Sequence, residues 1–185
     1  REGALVLNNL FLTAAAATVV VGTLYPLALE ALTGTRISVG APFFNLTFGP
    51  LMVPLLMLVP FGPMLAWKRG DIAAAAARRM AAFGIALVAA AAAAFAMGAT
   101  DILALAGIAL AAWLMAGALS ETAFRIKLFQ APLAESFRRF VGLPRSALGT
   151  ALAHFGLGVT MLGLVAATSW SSEDILTMKP GDSVT

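Results

Sequence analysis

The chain has 185 residues, of which 61% are hydrophobic and 11% charged, and its formal net charge is +3. Soluble domains average roughly 45–50% apolar and 25% charged residues, so this composition excludes an ordinary soluble domain and indicates a membrane protein covered by lipid. Cysteine is absent, which excludes disulfides, thiolate metal sites and thioether attachment of a cofactor to this segment.

Five apolar stretches approach the roughly 20 residues that a helix needs to cross a bilayer. They predict an all-α, polytopic transmembrane helix bundle within residues 1–169, with spans near 7–31, 46–66, 80–97, 102–119 and 148–169. Asn8 and Asn9 are expected to satisfy free backbone amides at the start of the first span. The second span should be kinked by its prolines, Pro50, Pro54, Pro60 and Pro63.

Basic residues orient this array of spans. Nine of the twelve lie in two connections, namely Lys68, Arg69, Arg78 and Arg79 in the first and Arg125, Lys127, Arg138, Arg139 and Arg145 in the second. Arg1 falls on the same side in a five-span arrangement, which leaves Arg36 and Lys179 opposite. The positive-inside rule therefore predicts a cytoplasmic N-terminal end and an extracytoplasmic C-terminal end.

The second basic connection also contains a short amphipathic pattern. Leu133, Phe137, Phe140 and Val141 share one helical face, while charged residues occupy the other. This pattern suits a short amphipathic helix along the cytosolic membrane interface, although an ordinary basic positive-inside loop is the favoured interpretation. Nucleic-acid binding is not indicated, because basic and aromatic residues do not interleave on a soluble face.

Motifs for catalysis are missing from the sequence, which has no phosphate-binding glycine loop, no nucleophile elbow and no histidine cluster. Four carboxylates near the spans fall at predicted helix ends and are interpreted as caps and charge partners: Glu30, Asp71, Asp101 and Glu121. Methionine is usually packing filler in apolar helices, so no ligand role is assigned to Met52, Met57, Met97 or Met161.

His154 is the only histidine, and it lies about one and a half to two turns inside the fifth span. An ionisable group at that depth is costly and usually faces the protein interior. Its helical face includes Thr150, Ala151, Leu157, Gly158 and Met161. A structural histidine, a proton relay and an axial haem ligand are all compatible with this pattern, and one histidine cannot form a bis-histidine site.

Several stretches resemble, in the same order, the later part of the CcmF family, the haem lyase subunit of bacterial cytochrome c maturation. They are REGALVLNNLFLTAAAATVVVGTLYPLALEAL, ISVGAPFFNLTFGPLMVPLLML, LPRSALGTALAHFGLGVTMLGLVAATS and MKPGDSVT. The related haem lyase of nitrite reductase assembly is an alternative within the same resemblance. One departure is SALG after LPR, where an aromatic residue is expected. Residues 170–185 resemble the start of a small periplasmic β-rich segment, with a first turn at KPGD.

The resemblance implies a multi-pass protein of the bacterial inner membrane that joins haem to the CxxCH cysteines of apocytochrome c. The haem chaperone CcmE would deliver the haem, a CcmH-type protein would hold the apocytochrome, and quinol is a candidate electron donor. His154 matches the family histidine in LAH.G that is one axial ligand of a transmembrane haem b. The partner histidine and the WWD segment have no counterpart here, so we expect a fragment that is incomplete as a lyase.

Two other classes of function remain as alternatives. A fragment of a transporter or permease is suggested by the proline-rich second span, although carboxylates near mid-membrane are missing from the predicted spans. A non-catalytic membrane scaffold would need only the close packing of small residues that alanine and glycine supply. Arg36 could pair with haem propionates from the outer loop, but a turn built on Gly34, Gly40 and Pro42 is the favoured interpretation of that loop.

Overall fold

A computed structural model of the chain describes residues 2–64, 72–97 and 101–170. All the regular secondary structure in these ranges is helical, which confirms the predicted all-α class. The helices are α1 (Glu2–Thr33), α2 (Ala41–Leu58), a 3₁₀ helix (Val59–Met64), α3 (Ile72–Met97), α4 (Ile102–Arg125), α5 (Leu133–Val141) and α6 (Arg145–Ser169). The predicted β-rich segment at residues 170–185 lies, beyond Trp170, outside the described residues.

Four helical segments in the described ranges are long and apolar enough to cross a membrane: Glu2–Thr33, Ala41–Gly62, Ile102–Arg125 and Arg145–Ser169. The described apolar part of α3, Met80–Ala96, is shorter. At about 1.5 Å per residue it covers about 26 Å, slightly less than the roughly 30 Å of a bilayer core. The chain is therefore a multi-pass membrane protein with four clear candidate spans, and the fifth stays a prediction.

Helix α4 lies at the centre of the bundle, in contact with α2, α3, the 3₁₀ helix and α6, whereas α1 packs on α2. Two glycines permit the close approach of α4 and α6. A Cβ atom added to Gly158 would lie 2.5 Å from Met115 Cγ and 2.9 Å from the Ala111 carbonyl oxygen, and one added to Gly107 would overlap Val165. The small-residue packing expected in a membrane therefore fixes how closely α4 and α6 approach.

The second span changes its helical geometry near its end. Pro50 and Pro54 lie inside α2, and at Val59 the chain passes into the 3₁₀ helix that contains Pro60. Proline has no N–H to donate to the preceding turn, so an α-helical ladder cannot continue unbroken through these positions. Pro60 packs on Gly117 of α4, where an added Cβ would lie 2.7 Å from the proline Cβ.

The main core lies between α2, α3 and α4. Its buried residues are Leu56, Ala82, Ala86, Leu110, Trp113, Leu114 and Ala116, and Met52 and Met161 pack against them while partly buried. Those two methionines therefore act as packing residues, consistent with the sequence interpretation.

The first helix begins earlier than its sequence suggests. α1 already starts at Glu2, so Asn8 and Asn9 lie well inside it and the expectation that they mark a helix start is wrong. The two amides contact each other, with Asn8 Nδ2 3.5 Å from Asn9 Oδ1. The polar pair stands directly before an apolar run and so resembles a helix start, although the residues before it are also helical.

Candidate functional site

An open cleft of about 1040 Å³ lies at one end of the bundle. Four chain segments line it: the first turns of α1, the end of α2 with the 3₁₀ helix, the last turns of α4, and the segment from Leu143 to His154 that opens α6. These four helix ends therefore gather at one end of the bundle. The cleft therefore opens at the end of the bundle that carries the basic connection between α4 and α6.

His154 lies on the wall of this cleft and is half-buried. The contacts of Gly107 with Val165 and of Gly158 with Ala111 and Met115 show that α4 and α6 run antiparallel. This register places His154, one turn before Gly158, at the height of Gly117 on α4. The sequence prediction that the histidine faces protein rather than open lipid agrees with this position.

A salt bridge on α4 also lines the cleft. Arg125 Nε donates a hydrogen bond to Glu121 Oε1 at 2.8 Å, one helical turn apart, and the side chains are 41% and 12% exposed. Side chains on a helix lean toward its N-terminus, so Arg125 leans toward Glu121, and His154 leans toward the turn at Thr150. The antiparallel register therefore brings the imidazole and the salt bridge to neighbouring heights.

Small residues make room between these polar groups. Glycine and alanine occupy positions on all four lining segments: Gly3, Ala4, Gly62, Gly117, Ala118, Ala147 and Ala151. Leu55, Leu58 and Phe61 add a larger apolar wall from the second span. The volume is at the upper end of the roughly 300–1,000 Å³ typical of small-molecule sites, so a flat, largely apolar ligand has space beside His154.

The chemistry available in the cleft is that of one imidazole and one arginine–carboxylate pair. A neutral imidazole can bind iron through one ring nitrogen while the other ring nitrogen orients the ring. No cluster of three or more histidine, cysteine, aspartate or glutamate side chains capable of holding a metal ion occurs in the part of the chain that the structure describes. The donor set therefore fits a cofactor that brings its own equatorial ligands to the metal.

The carboxylates predicted as caps or charge partners behave as such where the structure describes them. Asp101 is the N-cap of α4 and accepts a hydrogen bond from the Leu103 amide at 2.9 Å. Glu30 accepts one from Arg36 Nε at 2.6 Å, and Glu121 has its bridge to Arg125. Asp71 lies outside the described residues.

Arg36 follows the other end of α1 and does not line the cleft. Gly34 has a φ of +71°, and its amide donates to the Glu30 carbonyl, which is the glycine-dependent reversal predicted for this loop. Arg36 therefore lies at the far end of α1 from the His154 site, and its pairing with haem propionates stays a prediction.

Sequence reasoning did not identify Arg125 as a partner in the site. The spacing of Glu121 and Arg125 by four residues is a recognisable signal for a salt bridge on one helical face. What the sequence does not show is that this face and His154 line the same cleft, because that depends on the packing of α4 against α6. Arg125 was assigned only to the basic connection that orients the spans.

The chain is similar over nearly its whole length to proteins of cytochrome c biogenesis. It is 56% identical over 181 residues to the cytochrome c-type biogenesis protein CycK of Rhizobium meliloti, and 54% identical over 184 residues to CycK of Bradyrhizobium diazoefficiens. It is 34% identical over 185 residues to the cytochrome c-type biogenesis protein CcmF of Escherichia coli.

These alignments cover 98% to 100% of the chain but only 27% or 28% of each relative, so the chain spans a little over a quarter of their length. No protein-family model matches the sequence, and no solved structure matches it. The alignments over almost the whole chain, together with the four candidate spans, show the family: the chain belongs to the CcmF/CycK family of cytochrome c-type biogenesis proteins.

Proposed function

We propose that the chain is part of the haem lyase of cytochrome c maturation, and that His154 supplies an axial ligand to a transmembrane b-type haem. The observation that carries this proposal is the position of the only histidine on the wall of a large cleft lined by small residues. A bound b-type haem would supply one-electron redox chemistry, which supports reduction of the haem that is attached to apocytochrome c.

The residues of the cleft fit such a group. His154 has the nitrogen donor, the glycines and alanines leave space for a flat ring, and Leu55, Leu58 and Phe61 give a low-polarity wall. Low polarity and the identity of the axial ligand are two of the means by which a protein sets the potential of a haem. The second axial ligand would come from a part of the protein outside this chain.

The wider assignment rests on the family rather than on the cleft. We propose that the protein works with the haem chaperone CcmE, a CcmH-type protein and apocytochrome c, with quinol as a candidate electron donor. We also propose five spans in the bacterial inner membrane, with the N-terminal end of this segment in the cytoplasm and residues 170–185 in the periplasm. The gathering of four helix ends around one cleft, beside Arg125 and Arg145, supports that arrangement.

The test is the absorption spectrum of the purified full-length protein carrying His154→Gly. Loss of the b-type haem bands, with recovery on addition of imidazole, is the result expected if the ring is an axial ligand. Recovery by free imidazole separates ligation from a structural role, because a misfolded protein would not be repaired by a small ligand.

A matched control is Thr160→Val on the same helix. Thr160 is exposed, does not line the cleft, and its hydroxyl only donates to the Gly156 carbonyl of its own helix at 3.0 Å. This variant should keep the haem spectrum. An unchanged spectrum in His154→Gly would overturn the proposal and favour a scaffold, which needs no ligand at this position.

A further inference from the structure

Helix α5 is a short element held next to two membrane spans. It follows α4 after the connection 126–132, and only Gly142, Leu143 and Pro144 separate it from α6. Four backbone steps cover at most about 14 Å, so the end of α5 stays within that distance of the start of α6. Because α4 ends and α6 begins on the same side of the bundle, α5 lies near that surface of the bilayer.

One face of α5 is apolar and uncovered. Leu133, Phe137, Phe140 and Val141 recur at helical spacing and are 75%, 68%, 41% and 70% exposed. Four large apolar side chains in nine residues form a continuous stripe, whereas a soluble surface normally carries large apolar residues singly and scattered. The structure thus has the amphipathic helix in place of the favoured basic loop, and its stripe faces away from the rest of the described bundle.

The rotation of α5 about its own axis is fixed by the turn that precedes it. Ser136, at one border of the stripe, is only 2% exposed, and its Oγ lies 3.5 Å from the Lys127 carbonyl oxygen, to which it donates. Lys127 and Phe129 have φ values of +54° and +67°, so the chain reverses sharply before α5. The helix is therefore held against this turn along one flank, which leaves the stripe exposed.

Basic side chains surround the stripe. Between residues 125 and 145 the chain carries five basic residues and a single acidic one, Glu135, which is paired with Arg139 at 2.6 Å. Lys127, Arg138 and Arg145 are exposed beside the apolar stripe. An exposed apolar face flanked by exposed cations complements a surface that has hydrocarbon below a layer of negative charge.

We infer that α5 binds the anionic lipid interface, with its apolar stripe among the acyl chains and Lys127 and Arg138 at phosphate headgroups. A helix of this kind inserts its apolar face roughly 5–10 Å below the headgroup boundary. Tethering to α4 and α6 keeps the helix near the membrane surface, so its binding does not have to overcome the loss of translational freedom that a free nine-residue peptide would suffer. This inference is independent of His154 and of haem.

The experiment uses the full-length protein in vesicles of phosphatidylcholine and phosphatidylglycerol, with single nitroxide labels at Phe137→Cys and, as the control, Arg138→Cys. The described chain has no native cysteine to interfere, and any elsewhere in the protein would be replaced. We expect the label at 137 to be accessible to oxygen and protected from a water-soluble nickel complex, at a depth of about 5–10 Å, whereas the label at 138 meets the nickel complex.

Equal access of the nickel complex to both labels would overturn the inference, since α5 would then lie in water. A label at 137 that neither oxygen nor nickel reaches would also overturn it, because a protein segment would then cover the stripe. In vesicles of phosphatidylcholine alone, the label at 137 should become shallower. An unchanged depth there would refute the part played by anionic headgroups.

Discussion

Trp113 of α4 donates its indole Nε1 hydrogen to the carbonyl oxygen of Met57 at 3.1 Å, across 56 residues of sequence. Met57 is in the last turn of α2, where carbonyl groups lose their intrahelical donors, and the proline at position 60 removes one further N–H. Inside a membrane protein such a carbonyl must find a partner within the protein. The proline-rich break in the second span is therefore tolerated because α4 supplies the missing donor.

Replacement of Trp113 by Phe tests this relationship. Phe keeps the aromatic packing with Phe61 and Phe83, whose ring centroids lie 5.6 Å and 6.4 Å from that of Trp113, but it removes the donor. We expect a loss of about 1 kcal/mol in the free energy of unfolding, typical of one hydrogen bond. Reversible denaturation in mixed micelles measures it. A Trp113→Phe protein as stable as the parent would show that the Met57 carbonyl does not need the indole.

Among the glycines of α6, Gly158 should tolerate an added side chain least. Its Cβ would overlap Met115 and the Ala111 carbonyl, so Gly158→Ala should push α6 away from α4 and cost about 1–3 kcal/mol. Gly156 and Gly163 on the same helix have nothing within 4 Å of an added Cβ. Either should accept alanine with no loss, or with a gain of up to about 1 kcal/mol from helix propensity. Equal thermal stability of all three variants would contradict the packing described here.

Much of this fold follows from apolar runs alone, while the candidate site does not. The runs near 102–119 and 148–169 predict α4 and α6, and the pattern at 133–141 suits α5, because a helix buries or exposes one face at a period of 3.6 residues. The earlier start of α1 was missed, since polar Asn8 and Asn9 resemble a helix start even where the helix continues through them.

The cleft depends on contacts between segments that are distant along the chain. His154 could be chosen from the sequence because an ionisable residue is rare in an apolar helix. Glu121 and Arg125 could not, since they line the same cleft as His154 only because α4 packs closely on α6 at Gly158. Tertiary packing of this kind has no signature in local periodicity.

The salt bridge of Glu135 with Arg139 makes α5 sensitive to pH. The hydrogen bond from Arg139, followed by its charge, lowers the pKa of Glu135 below the ordinary value for glutamate. A lowered pKa in the folded state means that this carboxylate stabilises α5 fully above the ordinary glutamate range and loses that contribution as the pH falls through the lowered value. As the pH falls below the ordinary glutamate range, we therefore expect the helix to fray.

Hydrogen exchange of residues 127–145 in the full-length protein, corrected for the intrinsic effect of pH, measures this change. Protection should fall on acidification, and Glu135→Gln should have the lower protection already at neutral pH. Glu135→Asp keeps a charge with a shorter reach and should be intermediate. If the protection of Glu135→Gln at neutral pH equals that of the parent, the ion pair does not stabilise α5.

Arg125 should help to retain a cofactor in the cleft if the proposed haem site is correct. Arg125 lines the cleft and its bond to Glu121 uses Nε, which leaves its terminal amino groups to bind a carboxylate-bearing edge of the ligand. A hydrogen bond to a charged group contributes about 1.5–3 kcal/mol, and the 41% exposure of Arg125 favours the lower figure. Arg125→Gln should therefore weaken haem retention about tenfold, measured as transfer of haem to apomyoglobin.

Two matched variants test whether the loss of haem retention in Arg125→Gln comes from a lost contact with the ligand. The other two explanations are a change in the salt bridge and a change in the net charge of this end of the bundle. Arg145→Gln removes an exposed positive charge from the first turn of α6, at a residue that does not line the cleft, and should leave the transfer rate unchanged. Glu121→Gln combined with Arg125→Gln removes both charges, so the buried carboxylate no longer contributes. If the double variant regains normal retention, the defect of Arg125→Gln comes from the charge of Glu121; continued loss of haem from the double variant indicates that the guanidinium itself binds the ligand.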